Sequence, residues 1–490
     1  MAFKSKSYIN IKMLLRVIGW LLMVEAAMML VPLLVGLFYG EHQTLAFLIS
    51  LGATALAGTC MMSLRPKSRD MGKREAILLT GLTWVILSLF GMIPFLISQT
   101  HFSITDAFFE TMSGFTTTGA SVLDTLTDVP KSILLWRCLI QWIGGLGIIL
   151  FTLAVVPMLN YQGGMQLFNA EVTGITHDKL RPRVSYTAKG LWLVYIAMTT
   201  ILIVLLSFSK MDFFDAVCYG LSTMSTGGFA TSDMSIGELD SIYVKIVCII
   251  FMFLGGVNFT LIYRSVTGLT FKVWKNTVFR AYLGIIIVCY LLLCLNLFLR
   301  GMVHNVADAT IDPLFQTVSI ISSTGLTEPD FFNWGPLAVI VLIFMMIMGA
   351  CAGSTSGGAK IDRFVILYKF LKNEFYKMMH PNAVTTVRIN GKGTSYQIVE
   401  KVLAFLFLYL IVIVAGGVIL ILFGMPLMDG FFCSLSAVSN TGLGTDTTGL
   451  NGNFAMVPAG AKWVLSFLML VGRLELYTIL LLFSPAFWRK

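Results

Sequence analysis

The sequence predicts an all-α integral membrane protein: four parallel span–loop–span repeats around a pseudo-fourfold axis, preceded by an N-terminal two-helix hairpin. Three observations carry that expectation. Hydrophobic residues make up 57% of the 490 and charged residues only 12%, outside the soluble range. Long apolar runs recur along the whole chain. Between them four segments rhyme: DAFFETMSGFTTTG from Asp106 to Gly119, DAVCYGLSTMSTGG from Asp215 to Gly228, DPLFQTVSIISSTG from Asp312 to Gly325, and DGFFCSLSAVSNTG from Asp429 to Gly442. One unit used four times implies a common axis.

Runs of about 20 apolar residues are long enough to span a bilayer. Ten such runs fall near 17–39, 43–64, 76–99, 132–158, 190–209, 246–263, 281–299, 336–359, 402–424 and 463–487. The first two form the hairpin, residues 1–70. The first of them lacks a clear cleavage site, so it is expected to stay as a span rather than leave as a signal peptide. The other pairs flank the motifs and divide the chain into repeats 71–165, 166–270, 271–379 and 380–490. Successive motif Asp residues lie 109, 97 and 117 positions apart, which fits a unit of span, re-entrant loop and span. Each repeat crosses twice, so the copies are parallel, unlike the inverted copies of many secondary transporters.

Charge fixes the orientation. Segments 1–16, 65–75, 160–189, 264–280, 359–401 and 488–490 hold 27 of the 34 Lys and Arg. The opposite loops hold 16 of the 25 acids, including all four motif Asp. The positive-inside rule then puts both termini in the cytoplasm and the motifs outside. The net charge of +9 is mostly a cytoplasmic belt against membrane lipid and needs no nucleic-acid partner. The eight Cys lie singly without a CxxC pair and read as small buried hydrophobes. The five His are scattered, and no His, Cys or carboxylate cluster suggests a metal centre or a membrane enzyme.

Within a repeat the motif suits a cation. Asp106 is expected to cap a short helix over Ala107 to Ser113 that descends into the membrane. The negative end of its dipole would face the axis. Thr116-Thr117-Thr118-Gly119 would follow in extended form, with carbonyls turned inward. Irregular backbone at membrane depth is tolerated only where protein buries it or where it lines a polar path. The expected filter residues are Thr117, Thr118 and Gly119; Thr226, Gly227 and Gly228; Ser323, Thr324 and Gly325; and Asn440, Thr441 and Gly442. Carbonyl oxygens in place of hydration water favour K⁺ or Rb⁺ over divalent cations, which usually need carboxylates. A lone copy would read better as a helix cap in an outer loop. Four in register, each between two spans, favour a pseudo-fourfold central pore.

With these residues in view, the chain resembles the Trk/Ktr/HKT superfamily of K⁺ transporters, and within it the bacterial TrkH-type membrane subunit. The resemblance spans essentially the whole chain. It rests on the filter loops TTTGAS (116–121), STGGFATSD (225–233), SSTGLTEPD (322–330) and SNTGLGTD (439–446), on MGACAGSTSGGAKIDR (348–363), and on the ending GRLELYTILLLFSPAFWRK (472–490). It implies four pore-lining loops with one filter Gly each, and a homodimer in the bacterial cytoplasmic (inner) membrane. It also implies a cytosolic nucleotide-binding regulatory subunit (TrkA-like), K⁺ as the transported ion, and no organic cofactor in this chain. Repeat two departs by reading Thr226-Gly227-Gly228, and repeat four by Asn440 where repeat one has Thr117.

Gly349, Gly353, Ser354, Thr355, Ser356, Gly357 and Gly358 interrupt the second span of repeat three, where helix propensity is poor and hydroxyls can satisfy freed backbone groups. By resemblance this loop lies below the filter and acts as a gate; a packing surface of small residues is the competing reading. A phosphate-binding loop is disfavoured, because Ala359 stands where its Lys should be and no strand precedes it. Arg473 is a cation inside the last span, at a cost of about 2.5–3.5 kcal/mol if centred in the bilayer. It reads as part of the gate or as a structural cation held by another span. Glu475, two positions on, is not an automatic partner.

Two functions follow from this pattern. The first is a gated K⁺ pore subunit. The second is an ion-coupled (H⁺ or Na⁺) secondary transporter of K⁺ working by alternating access. Continuous filter loops and parallel repeats favour the pore; scattered membrane acids would favour coupling, and Glu25 and Glu475 are the only clear ones.

Overall fold

Helices α1 (Ile11–Tyr39) and α2 (Thr44–Met62) form the N-terminal hairpin, in a computed structural model that describes residues 9–66, 71–98, 102–145, 184–233, 235–239, 241–268, 272–302, 306–328, 331–445, 448 and 453–489. The Asn10 side chain caps α1 by accepting from the Met13 N–H, and Gly40 closes it at φ 68°. Where the two helices cross, a Cβ on Gly19 would lie 2.8 Å from the Gly58 carbonyl oxygen, so small residues set their approach.

Each repeat then supplies a first span, a short helix and an inner helix. In repeat one these are α3 (Lys73–Gly91), extended by the turn α4 (Ile93–Ile97), then α5 (Ile104–Phe115) and α6 (Lys131–Gly145). Repeat two has α7 (Val184–Ser207), α8 (Phe213–Ser225) and α9 (Ile242–Gly255), with α10 (Phe259–Gly268) after a break. Repeat three has α11 (Thr277–Leu299), α12 (Val306–Ile321) and α13 (Pro336–Met348), followed by α14 (Ile361–Met379). Repeat four has α15 (Tyr396–Leu422), α16 (Leu427–Ser439) and α17 (Ala459–Arg473), then α18 (Tyr477–Phe483) and α19 (Pro485–Trp488). A two-residue hairpin, β1 (Arg388–Ile389) with β2 (Lys392–Gly393), joins α14 to α15.

The packing is cyclic. Every short helix rests on its own first span: α5 on α3, α8 on α7, α12 on α11, α16 on α15. Every short helix also rests on the inner helix of the preceding repeat: α8 on α6, α12 on α9, α16 on α13. The series closes when α17 packs on α5. Outside this ring, large apolar side chains such as Phe208, Phe298 and Leu422 stay exposed, as a lipid-facing surface requires.

Of the apolar runs, six are single helices long and apolar enough to cross a membrane among the described residues. The other runs are less regular. Run 246–263 is broken, α9 and α10 meeting at a 99° bend, and run 463–487 is broken at 119° between α17 and α18, neither of which the sequence suggested. Run 336–359 is helical only to Met348, where Gly349 turns to φ 62°, as expected from the Gly/Ser segment 349–358. Residues 146–158 of run 132–158 lie outside the described residues, as does most of the basic segment 160–189.

The expected cap is also corrected. Asp106 does not cap α5. Ser103 does, accepting from the Asp106 N–H at 3.2 Å, so the helix starts earlier than the sequence suggested. Asp106, Asp215 and Asp429 each sit inside the first helical turn, where a carboxylate meets the positive end of the dipole.

Candidate functional site

All four short helices end alike. Thr117, Thr226, Ser323 and Asn440 take left-handed φ angles of 54°, 54°, 53° and 52°. Each donates its N–H to the carbonyl three residues back, at 3.0, 3.1, 2.9 and 3.2 Å. The next residue, Thr118, Gly227, Thr324 or Thr441, donates to the carbonyl five back, at 2.9, 3.0, 2.8 and 3.0 Å. This pair of bonds is the Schellman cap, with Thr, Ser or Asn where Gly is usual. A non-glycine residue in this region is strained, and four equivalent copies mark a site rather than an accident.

The cap consumes the N–H groups and reverses the chain. One residue on, Gly119, Gly228, Gly325 and Gly442 sit at φ 87°, 82°, 75° and 77°. A Cβ on Gly119 would strike the Gly227 carbonyl oxygen; on Gly228, that of Thr324; on Gly325, that of Thr441; on Gly442, that of Thr118. Each glycine therefore lies against the carbonyl that precedes the next repeat's glycine, and the series returns to its start. Four carbonyls, four glycines and one closed ring result. Its twelve residues, singled out from sequence, are brought together, and apart from Gly119, Gly228 and Gly325 every one is nearly wholly buried. In repeats one, three and four a hydroxyl pair stiffens the strand: Thr116 with Thr118 at 2.8 Å, Ser322 with Thr324 at 2.7 Å, and Ser439 with Thr441 at 2.9 Å.

The loop from Gly349 to Lys360 docks against this ring. Gly357 N–H donates to the Ser323 hydroxyl, and the Thr226 hydroxyl meets that of Thr355 at 3.1 Å. A Cβ on Gly357 would strike the Ser439 carbonyl oxygen. The left-handed residues of repeats two and three thus hold the loop directly. Gly349, Gly353 and Gly358 adopt φ 62°, 76° and 77°, as an unwound segment needs. The loop's backbone is satisfied both from outside it and from within. The Asn258 amide donates to the Ala352 carbonyl at 2.7 Å, and the Asp362 carboxylate accepts from the Ala352 N–H at 2.7 Å. Lys360 Nζ donates to the Ser356 carbonyl.

Arg473 completes the clamp. Its guanidinium donates to the Thr355 carbonyl at 2.8 Å, and to Gly144 and Gly145 carbonyls at 2.6 and 3.0 Å. One cation from repeat four therefore ties the loop of repeat three to the inner helix of repeat one. Glu475 does not pair with it. At φ 48° in the break after α17, Glu475 accepts from Arg363 of α14 at 2.7 Å.

The whole chain has close counterparts. The family model described as TrkH, cation transport protein, matches residues 43–490. The chain belongs to the TrkH cation transport family. The Trk system potassium uptake protein TrkH of Vibrio parahaemolyticus is 36% identical over 97% of this chain and 99% of its own. The TrkH protein of Escherichia coli K12 is 35% identical over the same shares of each chain. The crystal structure titled as the potassium transporter TrkH from Vibrio parahaemolyticus superposes with a TM-score of 0.89 at 33% identity, covering 98% of this chain and 100% of that one. The chain is thus a helical integral membrane protein of the TrkH family.

Sequence reasoning missed several residues of the site. Glu110 and Arg137, both buried, pair at 2.6 Å beside the ring. Glu110 also accepts from Val122 N–H at 2.9 Å, and Arg137 lies 4.3 Å over the Phe229 ring, so together they brace the strands leaving repeats one and two. The available signals were Arg137 inside an apolar run and Glu110 inside the first motif. Asn258, Lys360 and Arg363 were missed because each acts on a loop remote in sequence or on its own backbone.

Proposed function

We propose that this chain is the pore-forming subunit of a gated Trk-type K⁺ uptake system in the bacterial cytoplasmic membrane. The observation that carries the reading is the closed series of Thr118, Gly227, Thr324 and Thr441 carbonyls against the four glycines. A ring of backbone carbonyls with no carboxylate in it replaces the hydration water of a monovalent cation and disfavours ions that demand charged ligands. Thr117 to Gly119, Thr226 to Gly228, Ser323 to Gly325 and Asn440 to Gly442 would form the selectivity filter, with K⁺ as cargo. The relatives' names as potassium uptake proteins support the same ion for this chain.

The four-repeat ring surrounds the ion path in this reading, and the repeat boundaries of the sequence stand as its domains. The Gly349–Gly358 loop with Arg473 is the gate, since the loop touches the ring and a positive charge sits beside it. Both termini face the cytoplasm, where a TrkA-like nucleotide-binding subunit would act on the gate of a homodimer. The chain does no chemistry of its own.

Purified protein reconstituted in liposomes tests this. With an outward K⁺ gradient and a controlled potential, it should carry Rb⁺ and K⁺ well above protein-free liposomes and well above Na⁺. Correctly inserted protein, tested with and without its regulatory partner, that passes no K⁺ or Rb⁺ would end the proposal. Flux that stops without an imposed H⁺ or Na⁺ gradient would replace the pore with coupled transport.

A further inference from the structure

One ring position breaks the rule of the other three. Repeats one, three and four carry a Thr before the filter glycine, and its hydroxyl is tied to a hydroxyl two residues earlier. Repeat two has Gly227 there, with no side chain to tie. The vacancy is filled from the neighbouring repeat. Gln141 of α6, wholly buried, donates from Nε2 to the Gly227 carbonyl at 2.6 Å. Its Oε1 accepts from the Ser222 hydroxyl at 3.0 Å and from the Phe229 N–H at 3.2 Å. Ser222 lies before the ring in sequence and Phe229 after it, so one amide spans both sides of the strand.

The exchange is reciprocal. A Cβ on Gly227 would run into the Gln141 carboxamide, so the glycine is needed because the glutamine is there. The sequence repeats the point. Three residues before the glycine near the end of each inner helix stand Gln141 before Gly144, Met252 before Gly255, Met346 before Gly349 and Met469 before Gly472. Each inner helix packs on the short helix of the following repeat. Thr therefore goes with Met at three interfaces and Gly with Gln at one. A chance substitution at either member alone would leave a clash or a gap.

The geometry points to Gln141 as a positioning residue that sets ion selectivity, by fixing the Gly227 carbonyl of the filter ring from outside the ring. This rests on the filter reading above. Three ring carbonyls are held through neighbouring hydroxyls. The fourth is held through a hydrogen bond on its own oxygen, which leaves it less acceptor capacity for an ion and a fixed direction in which to use it. The ring thus has one position distinguished from the rest, on the side where repeats one and two meet.

Three variants test this in liposomes, each normalised to inserted protein and read as the K⁺/Na⁺ flux ratio. Gln141→Met copies the residue of the other interfaces but leaves Gly227 untied, and should lower the ratio by about three- to tenfold, the worth of one hydrogen bond. Gly227→Thr alone should lower it as well, because the new side chain meets the Gln141 amide. The double variant Gln141→Met with Gly227→Thr rebuilds the Thr–Met pairing and should recover the ratio to within about twofold of the starting protein. A double variant no better than Gln141→Met overturns the proposal, and that result can be read even if either single variant fails to insert, since a double variant with a low ratio is already enough. Gly325→Ser serves as the reference. If it lowers the ratio while Gln141→Met leaves it unchanged, the filter stands and Gln141 is only packing. If neither moves it, the filter reading falls and takes this inference with it.

Discussion

The ring and the loop beneath it are built on opposite principles. The ring is one backbone device used four times: a left-handed cap residue at φ 52–54°, an N–H bonded five residues back, and a glycine against the next carbonyl. Its side chains vary, with Thr, Ser or Asn at the same cap position. The loop from Gly349 to Lys360 occurs once, and it is tied to its surroundings in part by side chains on other elements, including Asn258, Ser323 and Arg473. A symmetric backbone ring offers every ion the same ligands and has few ways to change. A single asymmetric segment held by separable side-chain contacts can be released without dismantling the ring. On the filter-and-gate reading proposed above, selectivity and gating are therefore separable, and three experiments press on that separation.

The largest effect is expected at Arg473. At an assumed distance of about 5 Å and an effective dielectric near ~20, a fixed positive charge opposes a passing cation by roughly 3 kcal/mol. That corresponds to about two orders of magnitude in rate if it acts at the barrier top. Arg473→Ala removes the charge and also the bonds to Thr355, Gly144 and Gly145, so partner-independent Rb⁺ flux should rise by up to about a hundredfold. Arg473→Lys keeps the charge but loses the planar fork that reaches several carbonyls at once. It should sit near the starting protein if charge dominates, and near the alanine variant if the clamp does. In both variants the K⁺/Na⁺ ratio should hold. An alanine variant that inserts normally yet conducts no faster makes Arg473 a structural cation.

The complementary effect belongs to the ring. Gly119→Ser, Gly228→Ser, Gly325→Ser and Gly442→Ser each place a Cβ against a ring carbonyl at a backbone angle that L side chains rarely adopt. Displacing one ligand carbonyl should lower the K⁺/Na⁺ ratio about tenfold or more, worth some 1.4 kcal/mol of discrimination. If the loop is the gate, as proposed, gating by a regulatory partner should survive. Four ratios that stay at the starting value would show that these glycines line no filter.

Backbone repetition also explains what the sequence disclosed. The ring was legible because its residues recur in register, and the six unbroken spans because each is one continuous apolar run. The break after Met348 was legible too, from the glycines at 349, 353, 357 and 358. The other two breaks were not: run 246–263 stays apolar or small to the end of its helix, and run 463–487 stops at Arg473-Leu474-Glu475, which does not by itself end a helix. The freed backbone groups are satisfied by residues far away in sequence, such as the Gly256 carbonyl accepting from Cys351 N–H at 3.1 Å. Asp106 was mistaken for a cap because an acidic residue is favoured both at that position and within the first turn; only the Ser103 bond distinguishes them. Gln141 had a signal, a lone amide in an apolar run opposite the repeat that lacks its Thr, but the two lie 86 positions apart. Pairings of that kind need the fold to be seen.

The smallest effect should come from the link between the loop's exit and the break after α17. Arg363 and Glu475 pair at 2.7 Å with side chains 10% and 26% exposed, and Arg363 also lies 3.8 Å over the Phe405 ring and donates to the Ala359 carbonyl. Arg363 stands on α14, just beyond the loop, and Glu475 in the break two residues after Arg473. The pair thus joins the exit of the loop to the segment that carries its clamp. A partly exposed pair contributes about 1 kcal/mol or less, and Arg363 keeps its other two contacts when the carboxylate is lost. Glu475→Gln should therefore raise basal flux only about two- to fivefold, within the reach of liposome Rb⁺ uptake at matched protein density. Combination with Arg473→Ala distinguishes a shared device from two separate ones. If Glu475 acts by steadying Arg473, the double variant should conduct no faster than Arg473→Ala alone, because the clamp is already gone. Effects that instead multiply would place the Arg363–Glu475 pair on an independent element, and the loop would then be held closed by two devices rather than one.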